Sequence, residues 1–214
     1  MNAPDPLRLA SGLAVADPLG RLLAFCTEEY AYYDAIASAR PNRIEPIDIL
    51  ATVSMNSFVN SANRVWSVHR GLAEACEPIL GQIPEDADLR TFDLAAVQQL
   101  LDAACRVRWV LVPVATKVLH RKRRSLIPML DGVVIDYYRR AGVSVPGPAL
   151  QDGARAAAAV MPVLEAFRAD LAGAWDHLTQ VTSRLAEAGY QLTTLRALEL
   201  LVWTETEPRG YYRG

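Results

Sequence analysis

The residues best able to do chemistry gather in one stretch, 112–138, which reads VPVATKVLHRKRRSLIPMLDGVVIDYY. It holds Lys117, then His120, Arg121, Lys122, Arg123 and Arg124, then Asp131 shortly after Pro128. Asp131 precedes an apolar run and so stands at the mouth of a helix, where the backbone favours the charged form of a carboxylate. A carboxylate so placed has the means to activate a water, or to stabilise an oxocarbenium ion while a glycosidic bond breaks. The same position is also that of an N-cap. Four adjacent cations repel one another unless an anion lies nearby. Nucleic-acid phosphate is one such anion, and Glu85-Asp86 or Glu28-Glu29 folded over the loop is another. A third is a small anionic ligand between the basic loop and the Tyr30–Tyr33 edge. Cations also suit the C-terminal end of a helix without any partner.

Elsewhere the chemistry is thin. His69, His120 and His177 stand alone, with no second ligand at metal spacing. Cys26, Cys76 and Cys105 are far apart and form no CxxC, which argues against a zinc or iron–sulfur site and fits a reducing cytoplasm. There is no GxSxG, no GxGxxG and no phosphate loop. Hydrophobic residues make up 51% of the 214, so disorder is not the default, and the net charge of −2 shows no global basic excess. Nearly all positive charge is Arg; the two lysines, Lys117 and Lys122, both fall in the central stretch. No apolar window is long enough to span a bilayer, and the N-terminus lacks the charge and apolar run of a signal peptide. The expectation is a cytoplasmic protein with no membrane contact, no metal and no cofactor.

The elements that must position this stretch read as helices. Residues 1–17 are punctuated by Pro, Asp and Gly and are expected to form a flexible arm. Apolar residues at helical spacing predict helices over 19–39 and 45–58, a short extended piece or a second helix over 64–80, and a helix over 94–112. Thr91 is the expected N-cap of the last of these. Pro113 should break the run and leave 114–121 as a separate helix. Helices then follow over 131–140, over 154–189 in two pieces punctuated by Pro162 and Gly173, and over 193–205. Residues 207–214 form a polar tail. The class is all-α: one compact domain over 18–206, with 151–206 packing on as closing helices.

Two resemblances rest on these residues. Val112-Pro113-Val114-Ala115-Thr116-Lys117-Val118-Leu119 followed by Pro128-Met129-Leu130-Asp131-Gly132-Val133-Val134 resembles the hairpin-to-aspartate segment of helix-hairpin-helix DNA glycosylases. Those enzymes carry a Pro-Gly-Val-Gly-type hairpin, a Lys-Thr-Ala helix and a Pro-Val-Asp opening to the next helix. The resemblance implies a glycosylase-like core, with Asp131 on the catalytic aspartate and Lys117 on the hairpin-helix lysine. Arg121, Lys122, Arg123 and Arg124 would then contact DNA as the partner. The hairpin glycines are replaced by Val114 and Thr116 or their neighbours, and no lysine stands as a Schiff-base nucleophile. Together with RIEPIDILA at 43–51 and LRALELLVW at 195–203, the stretch also resembles a bacterial helical family of unknown function. Two alternatives to the DNA-binding reading follow from the residues. One is a non-enzymatic helical interaction protein in which Asp131 is only a cap; the other is a binder of a small anionic ligand.

Overall fold

A computed structural model describes residues 6–57, 59 and 61–206. Among them the chain is mostly helical, with nine α-helices and a two-strand hairpin. The hairpin pairs β1 (Leu7–Arg8) with β2 (Ala14–Val15) in antiparallel register, Leu7 opposite Val15. Within the segment read from sequence as an arm, Leu7, Leu9 and Val15 are buried. Gly12 turns the hairpin at φ +100°, a conformation that strains residues with a Cβ. The tip is held by Ser11, whose N–H donates to Asp170 Oδ1 at 2.9 Å and whose hydroxyl also reaches that carboxylate.

The helices are α1 (Pro18–Glu29), α2 (Pro46–Val53), α3 (Ala62–Leu80), α4 (Leu94–Cys105) and α5 (Val112–His120). They continue with α6 (Gly132–Arg140), α7 (Ala156–Gly173), α8 (Trp175–Glu187) and α9 (Thr194–Thr206). Asp17, Ser61, Asp93 and Asp131 accept N–H groups at the starts of α1, α3, α4 and α6, leaving fewer first-turn donors unsatisfied. The cap of α4 is Asp93 rather than Thr91. α7 runs on through Pro162, and the chain breaks at Ala174.

α5 packs against α2, α4 and α7, and α9 packs against α1, α6, α7 and α8, so both lie well inside the fold. Every residue of α5 except Pro113 is buried, and so is every residue of α9 from Leu195 to Val202. A helix buried on nearly all sides brings its polar residues inside with it, and each of those then needs a partner.

The largest departure from the sequence reading is at α1. The periodicity over 19–39 predicts one long helix, but α1 ends at Glu29 and a single 3₁₀ turn carries the chain to Tyr32. Beyond it Tyr33 and Asp34 turn inward and are buried. Tyr33 Oη donates to Lys117 O at 2.6 Å, and Asp34 pairs with Arg196. These two bonds draw residues 33–43 off the helical path into an irregular strap of turns about a short stretch at 37–40, which crosses the end of α5 before α2 begins.

Candidate functional site

The strap lies over the basic turn that follows α5, and the four cations hold it there by its backbone. Arg121 donates to the carbonyls of Ile36 and Ala37 at 3.4 and 3.1 Å. Lys122 Nζ donates to Ser38 Oγ at 2.8 Å and Arg40 O at 3.2 Å. Arg123 reaches Pro41 O at 2.8 Å and Asn42 Oδ1 at 2.6 Å. It also reaches Leu80 O and Ile83 O, the carbonyl end of α3 and the turn beyond it. Arg124 donates to Asp34 O and Ile36 O at 3.4 and 3.2 Å. Arg121, Lys122 and Arg123 are buried, and Arg124 is half-buried.

One carboxylate answers this charge at close range. Asp48, third residue of α2 and fully buried, takes Arg121 Nε on Oδ1 at 2.9 Å and Lys122 Nζ on Oδ2 at 2.5 Å. The same carboxylate accepts Glu45 N–H at 2.8 Å and so starts its own helix. The acid in ion-pair contact with the basic run is thus Asp48, to which the sequence did not point; of the acids that it did point to, Glu85 lines the same cleft as Arg121, Lys122 and Arg124 and acts on Arg123 through its charge. Among the described residues no carboxylate lies within 4.0 Å of Arg123 or Arg124. Arg123 Nε is buried with no hydrogen-bond partner.

This excess charge meets the surface at a cleft of about 350 Å³, lined by Ala37, Ser38 and Pro41 from the strap, Arg121, Lys122, Arg124 and Ser125 from the turn, and Glu85. The charged ends of Arg121 and Lys122 are sealed from solvent, so they act on the cleft through their field rather than by contact. Arg124 lines the cleft and is only half-buried, with Nη1 and Nη2 on the strap carbonyls at 3.4 and 3.2 Å. The turn is braced from outside: Leu89 N–H donates to Ser125 O at 3.0 Å, and Thr193 Oγ1 donates to Arg124 O at 3.1 Å. The N–H groups of Arg124 and Ser125 and the Ser125 hydroxyl make no hydrogen bond to any described residue. Two consecutive free N–H groups beside an arginine make a concavity suited to an anion.

Of the proposed catalytic pair, Lys117 lies in α5 one turn before Arg121, and Asp131 stands at the start of α6. Asp131 Oδ1 accepts the N–H groups of Val133 and Val134 at 3.0 and 3.1 Å, the geometry of a helix cap. Its Oδ2 takes no hydrogen bond from the described residues. Lys117 is buried and donates to Met55 O at 2.6 Å. Burial holds its ammonium below the ordinary lysine range, against the opposing pull of Asp131 and Glu199. Asn caps a helix as well as Asp, so Asp131→Asn is expected to leave stability within roughly 0.5 kcal/mol of the parent by thermal denaturation. A loss well beyond that would show the charge itself to matter.

Beneath both regions lies a second charged cluster that sequence reasoning missed. Arg196 donates from Nε to Asp34 Oδ1 at 3.0 Å, from Nη2 to Asp34 Oδ2 at 3.1 Å and from Nη1 to Glu199 Oε1. Glu199 Oε2 accepts Met129 N–H at 3.0 Å, which positions the approach to Asp131. Burial pushes Glu199 up to about 7 despite Arg196 beside it. His120, fully enclosed, is pushed down to about 3 by burial and sits against Ile127 O at 2.7 Å as a neutral ring.

No other feature offers chemistry of comparable density. The Cys76 and Cys105 thiols are pushed up to about 12 by burial and are poor nucleophiles. Among the described residues no group of three His, Cys, Asp or Glu is placed to hold a metal. Nor is any helix long and apolar enough to cross a membrane. A larger groove of about 520 Å³ between α2 and α3, walled by Leu50, Val53, Val65 and Trp66, is apolar apart from Ser61 and His69. No curated protein and no solved structure matches the chain. A family model matches residues 24–206, from the second half of α1 to the end of α9 and so including the strap, the basic turn and both charged clusters; the chain belongs to the family of unknown function DUF6308.

Proposed function

We propose that this protein binds a small anion in the cleft between the strap and the basic turn. One observation carries the reading: Arg124 and Ser125, whose N–H groups make no hydrogen bond to a described residue, line one cleft with the buried cations Arg121 and Lys122, and among the described residues Asp48 is the one carboxylate in ion-pair contact with the run. A negative group there would relieve the residual repulsion of the run and supply acceptors for those donors. Isothermal titration with inorganic phosphate tests this. Arg124→Ala is expected to weaken binding roughly tenfold or more, the usual worth of a hydrogen bond to a charged group. Ser125→Asp, which keeps Arg124 on the strap and adds a like charge to the ligand, is expected to abolish it. An absence of phosphate binding by the wild type, or binding indifferent to both variants, would sink the reading.

A glycosylase-like, DNA-binding reading draws on a different observation. Lys117, its charge disfavoured by burial, lies within the electrostatic reach of Asp131, and Asp131 keeps one oxygen without a hydrogen bond to the chain. Arg124 would be the principal backbone contact, because Arg121, Lys122 and Arg123 are buried whereas Arg124 is only half-buried. Fluorescence anisotropy with a short duplex and a short single strand at low salt separates the two readings. Salt-dependent binding lost on Arg124→Ala favours DNA; binding of phosphate without either oligonucleotide favours the small anion.

A further inference from the structure

The charge and shape of the cleft narrow the ligand further. Resting on the anion-binding reading above, we propose that the ligand is a phosphomonoester carrying hydroxyl groups, a sugar phosphate. The basic run brings four positive charges, from Arg121, Lys122, Arg123 and Arg124. Against them stand Asp48 in contact and Glu85 at the rim, which leaves an excess of two. A phosphomonoester near neutral pH carries about −1.5 to −2 and matches that excess; a phosphodiester or a carboxylate carries about half as much.

The rest of the lining selects the body of the ligand. Glu85 is an exposed carboxylate and accepts hydrogen bonds without donating any. As part of the cleft's lining, it repels a second negative group and favours hydroxyl donors. The remaining wall is Ala37, Ser38 and Pro41, with no aromatic ring on which a nucleobase could stack. At about 350 Å³ the cleft lies at the small end of ligand sites and suits one sugar ring better than a dinucleotide. The phosphate then takes the Arg124 and Ser125 N–H groups and the Arg124 guanidinium, and the sugar hydroxyls turn toward Glu85.

Calorimetric titration of the full chain with glucose 6-phosphate, inorganic phosphate, AMP and glucose tests the assignment, with Glu85→Gln as the informative variant. Glucose 6-phosphate is expected to bind at least tenfold more tightly than inorganic phosphate, AMP more weakly than glucose 6-phosphate, and glucose not at all. Glu85→Gln should weaken glucose 6-phosphate several-fold while tightening inorganic phosphate, because the substitution turns one of two charged acceptor oxygens into an amide donor, leaves a single neutral acceptor and removes a repelling charge. If inorganic phosphate matches glucose 6-phosphate, or Glu85→Gln tightens both, the sugar assignment falls and anion binding stands. If none of the anions binds, both fall.

Discussion

Replacing Asp48 with alanine is expected to destabilise the protein by roughly 3–5 kcal/mol, the usual consequence of removing one partner from a buried ion pair. Asp48 is one side chain in four roles. It neutralises Arg121 and Lys122, takes the Glu45 N–H at the start of α2 and sits within 3.3 Å of Ser38 Oγ on the strap. Without it two cations remain in the interior with carbonyl and hydroxyl dipoles and, for Arg121, the Tyr33 ring at 5.4 Å, but no counter-charge in contact. For a chain of this size the expected fall in Tm is on the order of 10 °C. Asp48→Asn keeps the shape and an acceptor for Glu45 but not the charge. It should therefore recover the helix start and little else. If Asp48→Ala lowers Tm by only a degree or two, the strap is held by its carbonyl contacts and the carboxylate is incidental.

The second large effect is at Arg196. Arg196→Met fills much of the same volume and leaves Asp34 and Glu199 facing each other in the core with their only shared cation gone. At pH 8 the loss is expected to reach or exceed that of Asp48→Ala, because two carboxylates are stranded rather than two long, adaptable cations. The deficit should shrink as pH falls, since each carboxylate is relieved by taking up a proton.

The parent protein carries a weaker signal of the same origin. Glu199 is raised by burial from an ordinary 4.5 to about 7. Between those values the folded chain holds a proton that the unfolded chain has released. The Glu199 contribution is therefore fully present below about 4.5 and is lost as pH rises toward 7. Thermal denaturation across that window should show a downward slope with rising pH that Glu199→Gln flattens. An unchanged slope in Glu199→Gln would place the proton on another group.

Both clusters show what could be read from the chain and what could not. The helical class follows from apolar spacing, and α3, α4, α6 and α9 begin close to where their caps and periodicity put them. The sequence also held a sign of the Arg196–Glu199 pair. Leu195-Arg196-Ala197-Leu198-Glu199-Leu200-Leu201 is apolar on every face but for two opposite charges one helical turn apart. A helix that apolar is buried, and charges on a buried helix are paired. Asp48 had no such sign. It reads as an ordinary first-turn acid after Pro46, and only the fold brings it to Arg121, 73 positions away. The strap is the clearest failure of periodicity. Tyr30, Tyr33 and Ile36 sit at helical spacing, but long-range bonds to Lys117, Arg196 and the basic turn outweigh local helix propensity.

The way the strap is fastened bears on the order in which the molecule assembles. Its ties join residues 34–42 to the basic turn across sequence separations of 81 to 90, and they begin from fully hydrated cations. Closing so long a loop yields little until α3, α4 and α5 have already formed a surface to close upon. Charged side chains would keep their water until that surface exists. The expectation is a strap that docks late, with Asp48 arriving as Arg121 and Lys122 dehydrate. Stopped-flow kinetics should then show Asp48→Ala speeding unfolding far more than it slows folding; an equal effect on both rates would place the strap in the folding nucleus.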